Sequence, residues 1–214
     1  MSPLVSICIP CHNAGPFIDA TLESAFAQTW PRCEVILVDD GSSDDSVIRA
    51  RRWEARGLRL ITQPNRGAAA ARNAALRTAR GEFIQYLDAD DLIDPDKIER
   101  QLARTRIETT GTIFTARWGR FTQDPKDTVF DDHNPLFADL LPRDYLRRYA
   151  SHDCMMHPAA WLLPRNLVEA TGPWDERLSL NDDGEYFTRV VARAGKIAYC
   201  PDAQSRYRSA LPTS

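Results

Sequence analysis

Between Leu4 and Asp88, four short apolar runs rich in β-branched residues alternate with helix-favouring segments, and no other feature of the chain constrains its fold as tightly. Parallel strands cannot be joined by a tight turn; they need a crossover of about a dozen residues or more, usually a helix. The alternation therefore predicts βαβ units around a mainly parallel central sheet flanked by helices, an α/β class. Leu4 to Pro10 reads as the first strand, followed by an amphipathic helix marked by Phe17, Leu22, Ala25 and Phe26. Cys33 to Asp40 reads as the second strand, Ser42 or Ser43 can cap a helix running to about Arg56, and Leu58 to Gln63 is the third strand. The alanine-rich stretch Gly67 to Ala79 favours a helix, Gly81 stops it, and Glu82 to Asp88 is the fourth strand.

The second half is less regular. Pro95 opens a helix expected to continue toward Thr109, Thr112 to Phe121 reads as a strand, and the polar stretch Thr122 to Asn134 as a loop. Leu136 to Tyr149 is predicted helical, Ala159 to Leu163 a short strand, Asp182 to Ala194 a helix and Lys196 to Tyr199 a last core strand. No repeat or low-complexity linker interrupts the chain, so residues 1–214 are expected to form one domain. Within it, 1–110 would be a nucleotide-binding half and 111–214 would shape a second substrate site.

With 43% hydrophobic and 27% charged residues, the composition is that of a folded chain and not of a disordered one. A net charge of −3 excludes a nucleic-acid binder, whose affinity is supplied mainly by a basic surface. No apolar stretch reaches the roughly 18 residues of a spanning helix, and the start lacks a basic region followed by an apolar run. These features predict a cytoplasmic protein and leave peripheral attachment at the inner face of the membrane open. Five scattered cysteines, an odd number, fit free thiols in a reducing compartment. Cys8 and Cys11 spell C-x-x-C, but they sit in a strand without the second pair of a zinc ribbon or the helix start of a redox pair, so the spacing is read as coincidence.

In open α/β sheets, ligands bind beyond the carboxyl ends of the strands. Those ends are Pro10 to Asn13, Asp39 and Asp40, Asn65, and Asp88 to Asp91, most of them rich in carboxylates or amides. Asp88 and Asp90 are two apart, so in extended chain they face one way and can converge on a single divalent cation. Magnesium-type ions take one or two protein carboxylates and complete their shell with water and substrate phosphate, so the pair suits a metal–diphosphate. Asp90 or Asp91 could alternatively cap the next helix. Of Asp39 and Asp40, adjacent residues on alternating faces, one can reach a ligand and accept hydrogen bonds from a base or ribose while the other braces the turn. Asn65-Arg66-Gly67 leads into Ala68 to Ala71 and Arg72, small residues and a cation at a helix start that favour an anionic or planar group. Asp182 and Asp183 open a later helix, where the helix dipole alone would attract them, although the turn Gly172 to Glu176 could press them against the site.

Taken together, VSICIPCHN, VILVDDGSSD, NRGAAAARNAAL, GEFIQYLDADD, GPWDERL and DDGEYFTRV resemble, in order from Val5 to Arg189, the inverting nucleotide-sugar transferases of glycosyltransferase family 2, with the GT-A fold. The resemblance implies a nucleoside-diphosphate sugar as donor, often a UDP-sugar, and Mg²⁺ or Mn²⁺ as cofactor. It places Pro10, His12 and Asn13 along the nucleoside, Asp40 on the base, and Arg72 on the nucleotide. Asp88, Ala89 and Asp90 become the Asp-x-Asp motif that meets ribose, metal and diphosphate, with Asp183 as catalytic base. Asp182, His157 and Trp161 are candidates for the acceptor side, as is His152. Two positions depart from the family pattern: Asp182 stands where glutamate is usual, and Gly184 where an aromatic is usual. The Gln-x-x-Arg-Trp motif of processive synthases is missing, which implies transfer of a single sugar. Tyr207-Arg208 resembles the start of the family's acceptor-side C-terminal region, which would make the chain a truncated or short member. The implied acceptor is a hydroxyl on a saccharide, lipid or other molecule, in cell-surface polysaccharide biosynthesis. A sugar nucleotidyltransferase would carry a glycine-rich basic loop after the first strand, which Pro10 to Gly15 is not; a non-catalytic nucleotide-sugar binding module is the alternative from another class.

Overall fold

The computed structural model describes residues 2–106, 111–152 and 154–209. The strands are β1 Val5–Cys11, β2 Cys33–Asp40, β3 Arg59–Gln63, β4 Phe83–Tyr86, β5 Leu92–Ile93, β6 Thr112–Phe121, β7 Val129–Phe130, β8 Trp161–Pro164 and β9 Lys196–Arg208. The helices are α1 Gly15–Phe26, α2 Ser46–Arg51, α3 Ala68–Thr78, α4 Lys97–Ala103, α5 Pro142–Ser151, α6 Arg165–Thr171 and α7 Asp182–Arg193. They build one nine-stranded sheet in the order β3-β2-β1-β4-β8-β6-β9-β5, with β7 added beside β6.

The βαβ alternation produces the expected parallel half: β3, β2, β1 and β4 all run the same way. β1 lies inside this half, and all seven of its residues are buried, as a strand covered on both faces must be. Ile7 and Ile9 pack toward Ile18 and Leu22 of α1, while Cys8 faces Ala71 and Ala75 of α3. Cys8 and Cys11 therefore belong to opposite faces of the sheet, and both are free thiols. Burial pushes them up to about 12 and about 11, so neither supplies a thiolate at neutral pH.

The other half is mixed, with β8 antiparallel to both β4 and β6 and β9 parallel to β6. Here the structure departs from the periodicity. β9 does not stop at Tyr199; its pairing with β6 jumps from Cys200 opposite Ala116 to Gln204 opposite Arg117 and then continues to Arg208. Pro201, which has no N–H for a ladder, lies in the bulge that absorbs the slip. The helix expected from Leu136 begins instead at Pro142, because Leu136 and Leu140 are core residues and Leu140 pairs with Ile197. Two short strands, β5 and β7, and helix α6 escaped the sequence reading. The helix after Pro95 spans Lys97–Ala103, and the end expected near Thr109 lies outside the described residues.

Where β4, α4 and β8 meet, Lys97 is fully buried. Its ammonium position donates to the side-chain carbonyls of Gln85 and Gln101, and those two amides donate to the backbone carbonyls of Ala159 and Ala160. The network ties the turn before β8 to the central sheet. Burial pushes the Lys97 amine down to about 7, whereas an unfolded lysine titrates near 10.4. Between these values the unfolded chain binds the extra proton, so this group makes stability rise with pH. Between pH 7 and pH 9, the wild type should gain roughly 2 kcal/mol over the Lys97→Met variant in urea unfolding. An unchanged difference between the two proteins would contradict a buried neutral lysine.

Candidate active site

The carboxyl ends of β1, β2 and β4 open into a cleft of about 550 Å³. Pro10, His12, Asn13, Asp40, Arg72, Asp88, Ala89 and Asp90 all line it. So do the start of α3, at Gly67 and Ala68, and the end of β9, at Tyr207 and Arg208. No side chain caps the amino end of α3, and Ala68 and Ala71 present only methyl groups to the cleft. Unblocked amides at a helix start favour an anion.

On the β1–β2 side, side chains brace loops. Asn13 adopts a left-handed conformation, φ 49°, and its side-chain carbonyl accepts from the Ser43 amide at 2.8 Å. His12 bonds the Asp40 carbonyl oxygen through Nδ1 at 3.0 Å. Gly41 has φ 73°, and a Cβ there would lie 2.8 Å from the Asn65 nitrogen, so only glycine lets the two loops meet. The Asp40 carboxylate accepts from Gln63, from the Arg66 amide and from the Gly67 amide at 2.7 Å. Three N–H groups thus hold the carboxylate, the Arg66 amide being shared between its two oxygens. In this geometry Asp40 anchors the loop entering α3 while lining the cleft. Ser42 and Ser43 do not cap α2 either: the helix starts at Ser46, whose amide donates to Asp44, and Asp44 also accepts from the Gly15 amide at the start of α1.

After β4 the chain turns instead of staying extended, with the Asp91 amide donating to the Asp88 carbonyl. Asp88 and Asp90 thus meet at the cleft through a turn and not through strand alternation. Thr21 donates to the Ala89 carbonyl at 2.9 Å and Arg208 to the Asp90 carbonyl at 3.1 Å, holding that turn from both sides. Neither Asp90 nor Asp91 caps α4, which starts after Asp96. Burial, then Asp91, then Asp88 push the Asp90 carboxyl up to about 7. The Asp90 carboxylate accepts from its own backbone amide, and Asp88 accepts from Arg72 through one oxygen. A dication would relieve this kind of crowding, and a pair of carboxylates suits Mg²⁺ or Mn²⁺ bound together with phosphate.

Arg72 joins this turn to the second acidic cluster. Its guanidinium, only 6% exposed, donates to Asp88 at 2.7 Å and to Asp182 at 2.8 Å. It also lies over the Trp174 ring, 4.5 Å from the centroid. Trp174 in turn stacks on Tyr186 of α7 at 4.0 Å, and Asn73 on α3 bonds its backbone nitrogen and oxygen. The turn Gly172 to Glu176 therefore presses α7 against α3, as the sequence suggested. Asp183 sits one residue past Asp182 and lines a second cavity of about 290 Å³; burial raises its carboxyl above the usual range. Trp161 forms part of that cavity's wall although it is almost wholly buried.

His157 does not reach an acceptor side. Its ring is fully buried, bonded to Asp91 at 3.1 Å and to Ser205 at 2.8 Å, and burial pushes it down to about 3. Ser205, His157 and Asp91 have the spacing of a nucleophile–base–acid chain, but all three are sealed from solvent, so they brace the Asp turn from behind. His152 is exposed and lines a different cavity, beside Trp118 and Arg120. Tyr207, Arg208 and Phe17 were missed as cleft residues. The signal available for the first two was their position at the carboxyl end of β9, hidden by the misplaced end of that strand.

An α/β sheet of this topology, with acidic turns and a helix start converging on a cleft at its strand ends, is the arrangement of the GT-A fold. Residues 6–172 match the family described as Glycosyl transferase family 2. GlyG of Streptococcus pneumoniae serotype 4, a glycosyltransferase, is 37% identical over 217 residues, covering 97% of this chain and 71% of its own. EpsH of Bacillus subtilis (strain 168) is 32% identical over 214 residues, covering 97% of this chain. Among solved structures, TarS 1-349 of S. aureus in complex with UDP superposes with a TM-score of 0.81 at 19% identity, covering 97% of this chain. The mannosyltransferase PcManGT from Pyrobaculum calidifontis, in complex with GDP-Man and Mn²⁺, gives 0.70 at 23% identity over 97% of this chain. The chain belongs to glycosyl transferase family 2. It spans 61% of the length of EpsH, 60% of that TarS chain and 57% of PcManGT.

Removing the Arg72 charge leaves Asp88 and Asp182 facing each other in a partly buried space, and breaking a buried ion pair costs about 3–5 kcal/mol. The Arg72→Met variant, unfolded with urea in EDTA, should lose about 3 kcal/mol. A loss below about 1 kcal/mol would show that the bridge does not hold the two clusters.

Proposed function

We propose that this chain transfers a single sugar from a nucleoside-diphosphate sugar, most simply a UDP-sugar, to an acceptor hydroxyl with inversion of configuration. The observation that carries the reading is the Arg72 guanidinium, which links the Asp turn of the donor cleft to the helix start bearing Asp183. A donor site and a proton acceptor thereby share one small region. The complexes of TarS with UDP and UDP-GlcNAc, and of PcManGT with GDP-Man and Mn²⁺, support the choice of donor class and metal. A place in cell-surface polysaccharide synthesis fits the relatives named for teichuronic acid biosynthesis and chondroitin synthesis.

In this reading Pro10, His12 and Asn13 form the nucleoside wall, with Asp40 shaping it from behind. The amides at the start of α3, with Arg72 and Arg208, face the diphosphate. Asp90 and Asp88 would hold a divalent cation, which would supply electrostatic stabilisation of the charge growing on the departing diphosphate. Asp183 takes the acceptor's proton at a carboxylate oxygen as the new bond forms, because a carboxylate is too weak to ionise an alcohol in advance. Burial serves that role by raising the Asp183 carboxyl above its usual value. Among the described residues no helix is long and apolar enough to cross a membrane.

Two variants separate the donor and proton roles. Asp183→Asn should lower nucleotide release from UDP-sugars about 10²- to 10⁴-fold while leaving UDP affinity within about twofold. Asp90→Ala should weaken Mn²⁺-dependent UDP binding by about tenfold or more. Because Asp90 must shed its proton to hold a cation and is pushed up to about 7, wild-type binding should weaken as pH falls from 8 to 6. UDP binding insensitive to EDTA, or full turnover by Asp183→Asn, would overturn the corresponding assignment.

A further inference from the structure

The cavity beyond Asp183 differs in chemistry from the donor cleft. Its floor and walls are aromatic or apolar: Tyr145, Tyr149, Trp161, Phe187, Met155 and Met156. Its polar groups are the Asn181 amide, the Thr188 hydroxyl, the Tyr149 hydroxyl and the Asp183 carboxylate. No lysine or arginine lines it. The first three polar groups have no side-chain hydrogen-bond partner among the described residues. At about 290 Å³ it lies at the small end of ligand pockets.

Gly184 keeps the cavity open. A Cβ at that position would lie 2.2 Å from the Asn181 side-chain oxygen and 3.0 Å from the Tyr149 hydroxyl, so any larger residue would displace both. The Tyr149 ring stacks against Tyr145 and is only half-buried. Tyr149 also senses Asp183: burial and then the Asp183 charge raise its phenol above the usual value.

We propose that this cavity is the acceptor subsite and that it takes an uncharged sugar ring, with Tyr149 and Gly184 as specificity-determining residues. The inference rests on the reading of Asp183 as the base. A sugar ring presents an apolar C–H face and an equatorial rim of hydroxyls, which matches aromatic walls with scattered donors and acceptors. An anionic acceptor ring, such as a uronate, would enter beside Asp183, where Arg72 is already engaged by Asp88 and Asp182 and the described lining adds no further cation.

The test uses the full chain with UDP and Mg²⁺ and saturation-transfer NMR. Its probes are the methyl glycosides of glucose, galactose, mannose and N-acetylglucosamine, against methyl glucuronide. At least one neutral glycoside should bind the wild type about tenfold more tightly than the glucuronide. Tyr149→Ala and Gly184→Ala should each weaken that binding at least fivefold, with UDP affinity within about twofold of the wild type. No neutral binding, equal binding of the glucuronide, or binding that ignores both variants would overturn the subsite. Asp183→Asn distinguishes the two claims. If it retains sugar binding and loses turnover, both stand; if it retains turnover, the base reading fails whatever the sugars do.

Discussion

The Arg72 guanidinium lies between Asp88 at the exit of β4 and Asp182 at the start of α7, and the arrangement of the site follows from that placement. Three carboxylates, Asp88, Asp182 and Asp183, act on Arg72, and they hold its charge in place despite near-complete burial. Without a cation between them these groups would repel at short range in a medium less polar than water. The aromatic stack beneath fixes the cation's position: Trp174 under Arg72, Tyr186 under Trp174, and Tyr86 edge-on to both. Core packing and site electrostatics are thus one structure.

A second layer of buried polar contacts holds the donor side. Asp91, His157 and Ser205 link the Asp turn to the turn before β8 and to β9, while Arg208 closes over the turn's carbonyl. On the opposite wall, Asp40 and Asn13 use their acceptors on backbone amides of neighbouring loops. Asp90 lines the cleft with Asp40 and Asp88, and its carboxyl is the one pushed up to about 7 by burial, Asp91 and Asp88.

What could be read from the chain depended on how local the cause was. The parallel half was legible because each strand and helix carries its own period, and the Asp88–Asp90 motif because both acids leave one strand. Arg72 and Asp182 are separated by 110 positions, so no spacing rule could show that they touch. Periodicity also says little about burial of polar side chains: His157 was a candidate for the acceptor side, yet it is sealed between Asp91 and Ser205. The bulge after Cys200 hid Tyr207 and Arg208, because Pro201 looks like a strand end when its partner strand is unknown. Gly184 was visible as a departure from the family pattern, but its consequence, room for Tyr149 and Asn181 beside Asp183, needed coordinates.

The central claim is that Asp182 works through Arg72 to hold the proton-accepting end of α7 against the donor end. Steady-state nucleotide release and UDP affinity in Asp182→Asn test it most directly. The account predicts a fall in turnover of about tenfold or more with UDP affinity within about twofold, because the base loses its placement while the donor cleft keeps its own contacts. Unchanged turnover, or a loss confined to UDP affinity, would contradict it.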